Sequence, residues 1–571
     1  MRHIPLIISA LMGASASADD HLDIFVNTDV FELEVATDPQ ISPDGSTIAY
    51  VRAANDIMTD STRNNIWLVN SDGGDHRPLL SGTASYSNPR WSHDGNRLAY
   101  LSSAEGRGPQ LYVRWMDTGQ SALLSNLQNA PRGISWSPDD SQIAFSALVA
   151  TEQDQLATAP TMPEGAVWAP GVKVISDLNY RADGRGYLES GYSQIFLLPA
   201  DGGTPRQITQ GEFNHGGKLD WTPDGYEIIF SANRNEDWRE RERNSDLWSV
   251  NYRTGEMRQL TDRNGPDYAP SLSPDGSRLA YLGYEDRLMG YHNSQVSILD
   301  LNSGKITQLT EGLDRSIDWV EWAGNSRQLL ISFDDFGKRK LASVDMEGDL
   351  RPLESDVGSA GISRPYTSGD FTVSDNGAYA YTAGGPDRPA DVAFGHNDSA
   401  IRLTDLNADL LDHKTLGEVR EISWRSSVGD HDIYGWLVTP PGFDEAQQYP
   451  LLLEIHGGPF TAYGPHFSTE VQLYAAAGYV VFYTNPRGST SYGYEFANEI
   501  HHNYPSQDYD DLMSGVDAVI DMGFIDEEQL FVTGGSGGGV LTAWIVGNTD
   551  RFAAAAVAKP VINWISHALY S

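Results

Sequence analysis

The 571-residue sequence contains no cysteine, which excludes disulfides, thiolate metal sites and cysteine nucleophiles without fixing a compartment. Basic residues are scarce: 39 Lys and Arg stand against 78 Asp and Glu, a formal net charge of −39. Such an acidic surface repels phosphate backbones and anionic lipid, so nucleic acid is not an expected partner and the charge serves solubility. No apolar run approaches the ~20 residues that cross a bilayer, and no His/Asp/Glu spacing resembles a metal site. Membrane insertion, a metal and a cofactor are therefore not expected. One short apolar stretch, Ile4 to Met12, follows Arg2 and precedes Ala16-Ser17-Ala18. Residues 1–18 read as a secretory signal, and the mature protein as exported, periplasmic or secreted.

What is present is a repeat. The phrase Ile41-Ser-Pro-Asp-Gly45 returns as Trp91-Ser-His-Asp-Gly95, Trp136-Ser-Pro-Asp-Asp140, Trp221-Thr-Pro-Asp-Gly225 and Leu272-Ser-Pro-Asp-Gly276, then in weaker form at Trp322 and Val373, seven copies in all. Each copy reads as a strand, a tight Asp-Gly turn and a second alternating strand, with a further strand pair between copies. Four strands per unit at this period predict a seven-bladed all-β propeller over residues 19–416. One interval is long, 85 residues from Ser137 to Thr222 (222 − 137). An insertion, Ala150 to Glu189, is expected inside the third blade as an ordered loop with little regular structure.

From Gly417 the pattern changes to near-continuous apolar strands alternating with helices, at 433–438, 451–455, 479–483 and 530–533, with helices near 468–477 and 509–522. That alternation predicts an α/β domain over 417–571 with a mostly parallel sheet covered on both faces. Gly534-Gly-Ser-Gly-Gly538 fits the G-x-S-x-G elbow, which places Ser536 as a nucleophile between a strand and a helix. His456-Gly-Gly-Pro459 follows the 451–455 strand where an oxyanion loop belongs, so the N–H groups of Gly458 and Gly537 are the candidate donors. His456 is read as orienting that loop. Arg487 is either a structural anchor or a substrate contact. Glu240 and Glu242, in an acidic run of the fourth blade, are candidate grips for a peptide amino end, against the alternative of a solvated loop. Asp508, Asp510 and Asp511 read as the polar start of a helix.

Together, His456-Gly-Gly-Pro459, Asn485-Pro-Arg-Gly488 with Tyr492-Gly493, Gly534-Gly-Ser-Gly-Gly538 and Lys559-Pro-Val-Ile-Asn-Trp564, behind a seven-bladed propeller, resemble the prolyl oligopeptidase family. Within it the chain looks most like the acylaminoacyl-peptidase and bacterial dipeptidyl-peptidase branch. The resemblance implies an α/β-hydrolase domain, a serine acyl-enzyme, and short peptides as substrates because the propeller caps the site. It also implies an aspartate and a histidine well after the serine. Asp550 and His567 do not stand at those places and receive no catalytic role. The chain is accordingly expected to be a C-terminally truncated, inactive fragment of a peptidase. An esterase of the same fold and a non-catalytic propeller binding protein are the alternatives, and a homo-oligomer is left open.

Overall fold

The computed structural model describes residues 22–570 apart from 105, 107, 152–156, 158–159, 170–171, 176 and 398. The signal expected at 1–18 and part of the expected Ala150–Glu189 insertion lie outside the described residues. The repeats fold as seven four-stranded antiparallel sheets spanning 34–80, 86–123, 132–207, 215–259, 267–308, 317–354 and 371–402. Each is built from consecutive chain, so this part is the seven-bladed propeller.

The repeated motif explains both the turn and the ring. In the first blade Ser42 Oγ donates to Asp44 Oδ1 (2.6 Å) and accepts Thr47 N–H (3.0 Å), while Gly45 takes φ +78°. The same hydroxyl-to-carboxylate closure recurs at Ser92–Asp94, Ser137–Asp139, Thr222–Asp224 and Ser273–Asp275. The motif tryptophans tie neighbouring blades: indole N–H groups of Trp91, Trp136 and Trp322 donate to the carbonyls of Gln40, Arg90 and Ser271 (2.9, 3.0 and 2.8 Å). Where the third copy has Asp140 in place of glycine, its carboxylate caps the amides of His93 and Asp94 in the second blade (2.8 and 3.0 Å). The inner strands enclose an axial cavity of about 1000 Å³. Within the insertion, the regular structure among described residues is one short strand pair, Arg181–Ala182 with Gly186–Tyr187.

The second unit is a six-stranded sheet of β1 (Glu418–Arg425), β2 (Asp432–Thr439), β3 (Tyr449–Ile455), β4 (Val480–Asn485), β5 (Ile525–Gly535) and β6 (Ala554–Ala558). Their spatial order is β1-β2-β4-β3-β5-β6. β1 and β2 are antiparallel additions, and the β4-β3-β5-β6 part is parallel. Helices α1 (Thr469–Ala476), α2 (Asp508–Ile520) and α3 (Gly537–Asn548) connect the strands, and α4 (Trp564–Tyr570) follows β6. Leu453, Ile455, Phe482, Val516, Val532 and Leu541 meet in one buried cluster, each such side chain contributing about 1.5–3 kcal/mol on leaving water. β6 forms the edge of the sheet, and four of its five residues are exposed. No helix among the described residues is long and apolar enough to cross a membrane.

The α/β unit docks on the propeller face that carries the connectors between second and third strands. Gly290 and Tyr291 of the fifth blade donate to His501 Nδ1 and Asn498 Oδ1 (3.0 Å each), and Gly337 of the sixth donates to Ser491 Oγ (2.7 Å).

Candidate active site

β5 runs into Ser536 and α3 leaves from it, the arrangement predicted from the glycine-rich motif. Ser536 sits at φ +56°, ψ −116°, a left-handed conformation uncommon for a residue with a side chain. Its backbone is held by N–H donation to Ala558 O and by acceptance from Val540 N (3.0 Å each). Gly538 has to be glycine because a Cβ there would collide with the carbonyls of Ile455 and His456. The turn therefore packs directly on the end of β3.

That packing brings the two candidate oxyanion donors together. A Cβ built on Gly537 would lie 3.3 Å from Gly458 N, and one on Gly457 would lie 3.5 Å from Ser536 Cβ. Among the described residues neither Gly458 N–H nor Gly537 N–H donates a hydrogen bond. Gly537 N–H is additionally the first amide of α3, at the positive end of the helix dipole. Two amides without acceptors among the described residues thus lie beside one serine.

His456 is fully committed elsewhere: Nδ1 lies 2.6 Å from Gly457 O and Nε2 2.9 Å from Ser489 Oγ. Burial pushes its imidazole down to about 4, so at neutral pH it is an uncharged loop fastener rather than a base for Ser536. Among the described residues Ser536 Oγ has no hydrogen-bond partner. Asp550 and His567 are exposed, the latter with its ring 6.1 Å from that of Trp564.

Arg487 resolves to the anchor. It is 4% exposed, and its guanidinium engages Asp511 through Nε and Nη2 (2.9 and 2.7 Å), Glu499 through Nη1 (3.3 Å), and Val428 O (2.7 Å). All three guanidinium nitrogens are thereby engaged within the protein. Asp511, expected to be helix-start polarity, is instead the buried counter-ion of Arg487, while Asp508 receives the amides of Ser506 and Tyr509 (2.6 and 3.0 Å). Glu240 and Glu242 lie exposed in the 233–245 connector of the fourth blade, equivalent to the connectors that meet the hydrolase in blades five and six. The Glu242 carboxylate accepts Asn179 Nδ2 from the insertion, and Tyr180 of the insertion donates to Leu569 O of α4 (3.1 Å).

The structure adds residues that sequence reasoning missed. Glu454, an acid inside the apolar β3, accepts Tyr463 Oη–H (3.0 Å) and faces Arg364 Nη1 (3.3 Å), while its Oε2 has no partner among the described residues. Burial raises its carboxyl to about 7 against the pull of Arg364. Because the folded pKa lies above the unfolded one, the stability linked to this proton is fully present below about pH 4.5 and lost as pH rises to about 7. Glu454→Gln is expected to flatten the pH dependence of stability in that window and to raise stability at pH 8 by about 3 kcal/mol. Urea melts at pH 5 and pH 8 check this; an equal loss of stability at both pH values would sink it.

Comparison with known proteins agrees with this geometry. The prolyl oligopeptidase family matches residues 465–571, and the dipeptidyl peptidase IV N-terminal region matches 184–286. The uncharacterized peptidase YuxL of Bacillus subtilis is 32% identical over 569 residues, covering 94% of this chain and 82% of the relative. Dipeptidyl-peptidase 5 of Porphyromonas gingivalis is 26% identical over 578 residues, covering 96% and 80%. The structure of Pyrococcus horikoshii acylaminoacyl peptidase shares the fold at TM-score 0.77 and 21% identity, covering 94% of this chain and 79% of that one. The resemblance read from the motifs is thus borne out: the chain belongs to the prolyl oligopeptidase family and is a serine peptidase by descent.

Proposed function

We propose that this peptidase removes short pieces from oligopeptides, in the manner of a dipeptidyl- or acylaminoacyl-peptidase, through an acyl-enzyme on Ser536. The single observation that carries the site assignment is Ser536 on its left-handed turn beside two unengaged N–H groups, those of Gly458 and Gly537. Ser536 Oγ attacks the scissile carbonyl carbon and its proton passes to a base. The carbonyl oxygen becomes an oxyanion held by the two amides. Collapse expels the amine, which takes up that proton, and water then hydrolyses the Ser536 ester. The base in this proposal is a histidine oriented by an aspartate; among the described residues no histidine or aspartate side chain hydrogen-bonds Ser536. Supporting a peptide rather than a simple ester are the propeller docked over this side of the sheet and the insertion reaching α4. Glu240 is offered to the peptide amino end, with Glu242 beside it. We also propose export through residues 1–18.

A fluorophosphonate probe tests the reading. In a form of the protein that turns over peptide amides, the adduct is expected at Ser536. Adducts mapped by mass spectrometry to another serine, or no adduct at all, would favour the binding-protein alternative.

A further inference from the structure

The connector between blades six and seven does more than join two sheets. Over residues 362–367 it runs along the hydrolase domain as a strap: Ile362 O accepts Thr469 N (2.7 Å), Ser363 O accepts Glu470 N (3.2 Å), Pro365 O accepts Gly464 N (2.8 Å), and Thr367 N donates to Ala462 O (3.2 Å). Two side chains of the strap reach the catalytic loops. Arg364 ion-pairs with Glu454 and Glu470 (3.3 and 2.7 Å) and lies against Gly535, where an added Cβ would be 3.2 Å from Nη1. Tyr366 Oη accepts the N–H of Gly457 (2.9 Å), with its ring 4.7 Å from that of Tyr463.

We propose that Tyr366, a propeller residue, is a positioning residue of the peptidase that fixes the oxyanion loop so that Gly458 N–H faces Ser536. The inference rests on the roles given above to Ser536 and Gly458. Its physical basis is the pair Gly457-Gly458, which has no side chain to hold it and is conformationally permissive. Tyr366 holds the Gly457 N–H from the propeller side. His456 Nδ1 holds the Gly457 carbonyl at 2.6 Å. That carbonyl and the Gly458 N–H belong to one planar trans peptide and point in opposite directions. Fixing the Gly457 carbonyl therefore aims the Gly458 N–H, and fixing the Gly457 N–H prevents the preceding peptide from rotating into its place. With Gly457 N–H withdrawn by the phenol, Gly458 N–H is the loop amide left to meet an oxyanion. The oxyanion hole is then assembled across the domain interface, and a propeller that swings away releases it.

Tyr366→Phe tests this because it keeps the ring on Tyr463 and removes only the oxygen. In a form of the protein that turns over peptide amides, kcat is expected to fall about 10- to 100-fold with KM unchanged, short of the ~10²–10³ for losing a donor outright. Amide exchange in the segment 453–460 is expected to quicken at least about tenfold while the melting temperature holds. Wild-type kcat, wild-type exchange, or a loss shared equally by KM and thermal stability each overturn the inference. Ser536→Ala run beside it separates the two levels: activity surviving in that variant sinks the site assignment itself, whereas an inactive Ser536→Ala with an unaffected Tyr366→Phe overturns the positioning role alone.

Discussion

Ser536→Ala, in a form of the protein that hydrolyses peptide amides, is expected to lower kcat by at least about 10⁴-fold, since removing the nucleophile of a serine peptidase forfeits nearly all of what the triad contributes. The fold is expected to survive. Alanine carries the same Cβ into the φ +56° conformation, so its melting temperature stays close to that of the parent. Ser536→Gly, equally inactive, is expected to be the more stable of the two by about 1 kcal/mol, because glycine adopts a left-handed backbone without the Cβ penalty. Kinetics on a dipeptidyl or acyl-amino-acid chromogenic amide, with thermal melts of both variants, reads the two effects separately. Retained turnover in Ser536→Ala would move the nucleophile elsewhere.

The second large effect is on stability. Arg487→Ala is expected to cost about 3–5 kcal/mol, because it strands Asp511, which is 0% exposed, as an unpaired buried carboxylate. The Ser426 hydroxyl, which Asp511 also accepts (2.5 Å), does not replace a guanidinium bound through two nitrogens. Asp511→Asn is expected to be milder, since the amide still offers Arg487 an acceptor. Below its melting range the Arg487→Ala enzyme is expected to keep a parental KM. An unmoved urea midpoint with a raised KM would restore Arg487 as a substrate contact.

Much of this was legible in the chain. The propeller announces itself because five blades repeat one closure, a hydroxyl on an aspartate two residues on, and the repeat needs Ser or Thr, Asp and Gly at fixed offsets. The elbow is legible for the same reason, since Gly538 sits where any side chain meets the carbonyls of β3. Two hydrolase strands were not foreseen. β1 alternates without a clean buried face, being exposed at Glu418, Glu421, Ser423 and Arg425. β6 is Ala-Ala-Ala-Val-Ala, a composition that favours helix and becomes a strand through pairing with β5. Arg487 could not be decided, as an arginine after a strand has the same sequence appearance whether its partner is Asp511 or a ligand. Tyr366 was invisible: it lies 91 residues before the amide it holds, in a connector without periodicity. Glu454 did leave a trace, an ionisable residue within an apolar strand, which asks for a buried partner.

The formal charge of −39 has a consequence for encounter. Its field reaches only about a Debye length, ~10 Å at 0.1 M salt and ~3 Å at 1 M. A peptide with a protonated amino end is therefore expected to associate faster in dilute salt than in concentrated salt, and a neutral one to be indifferent.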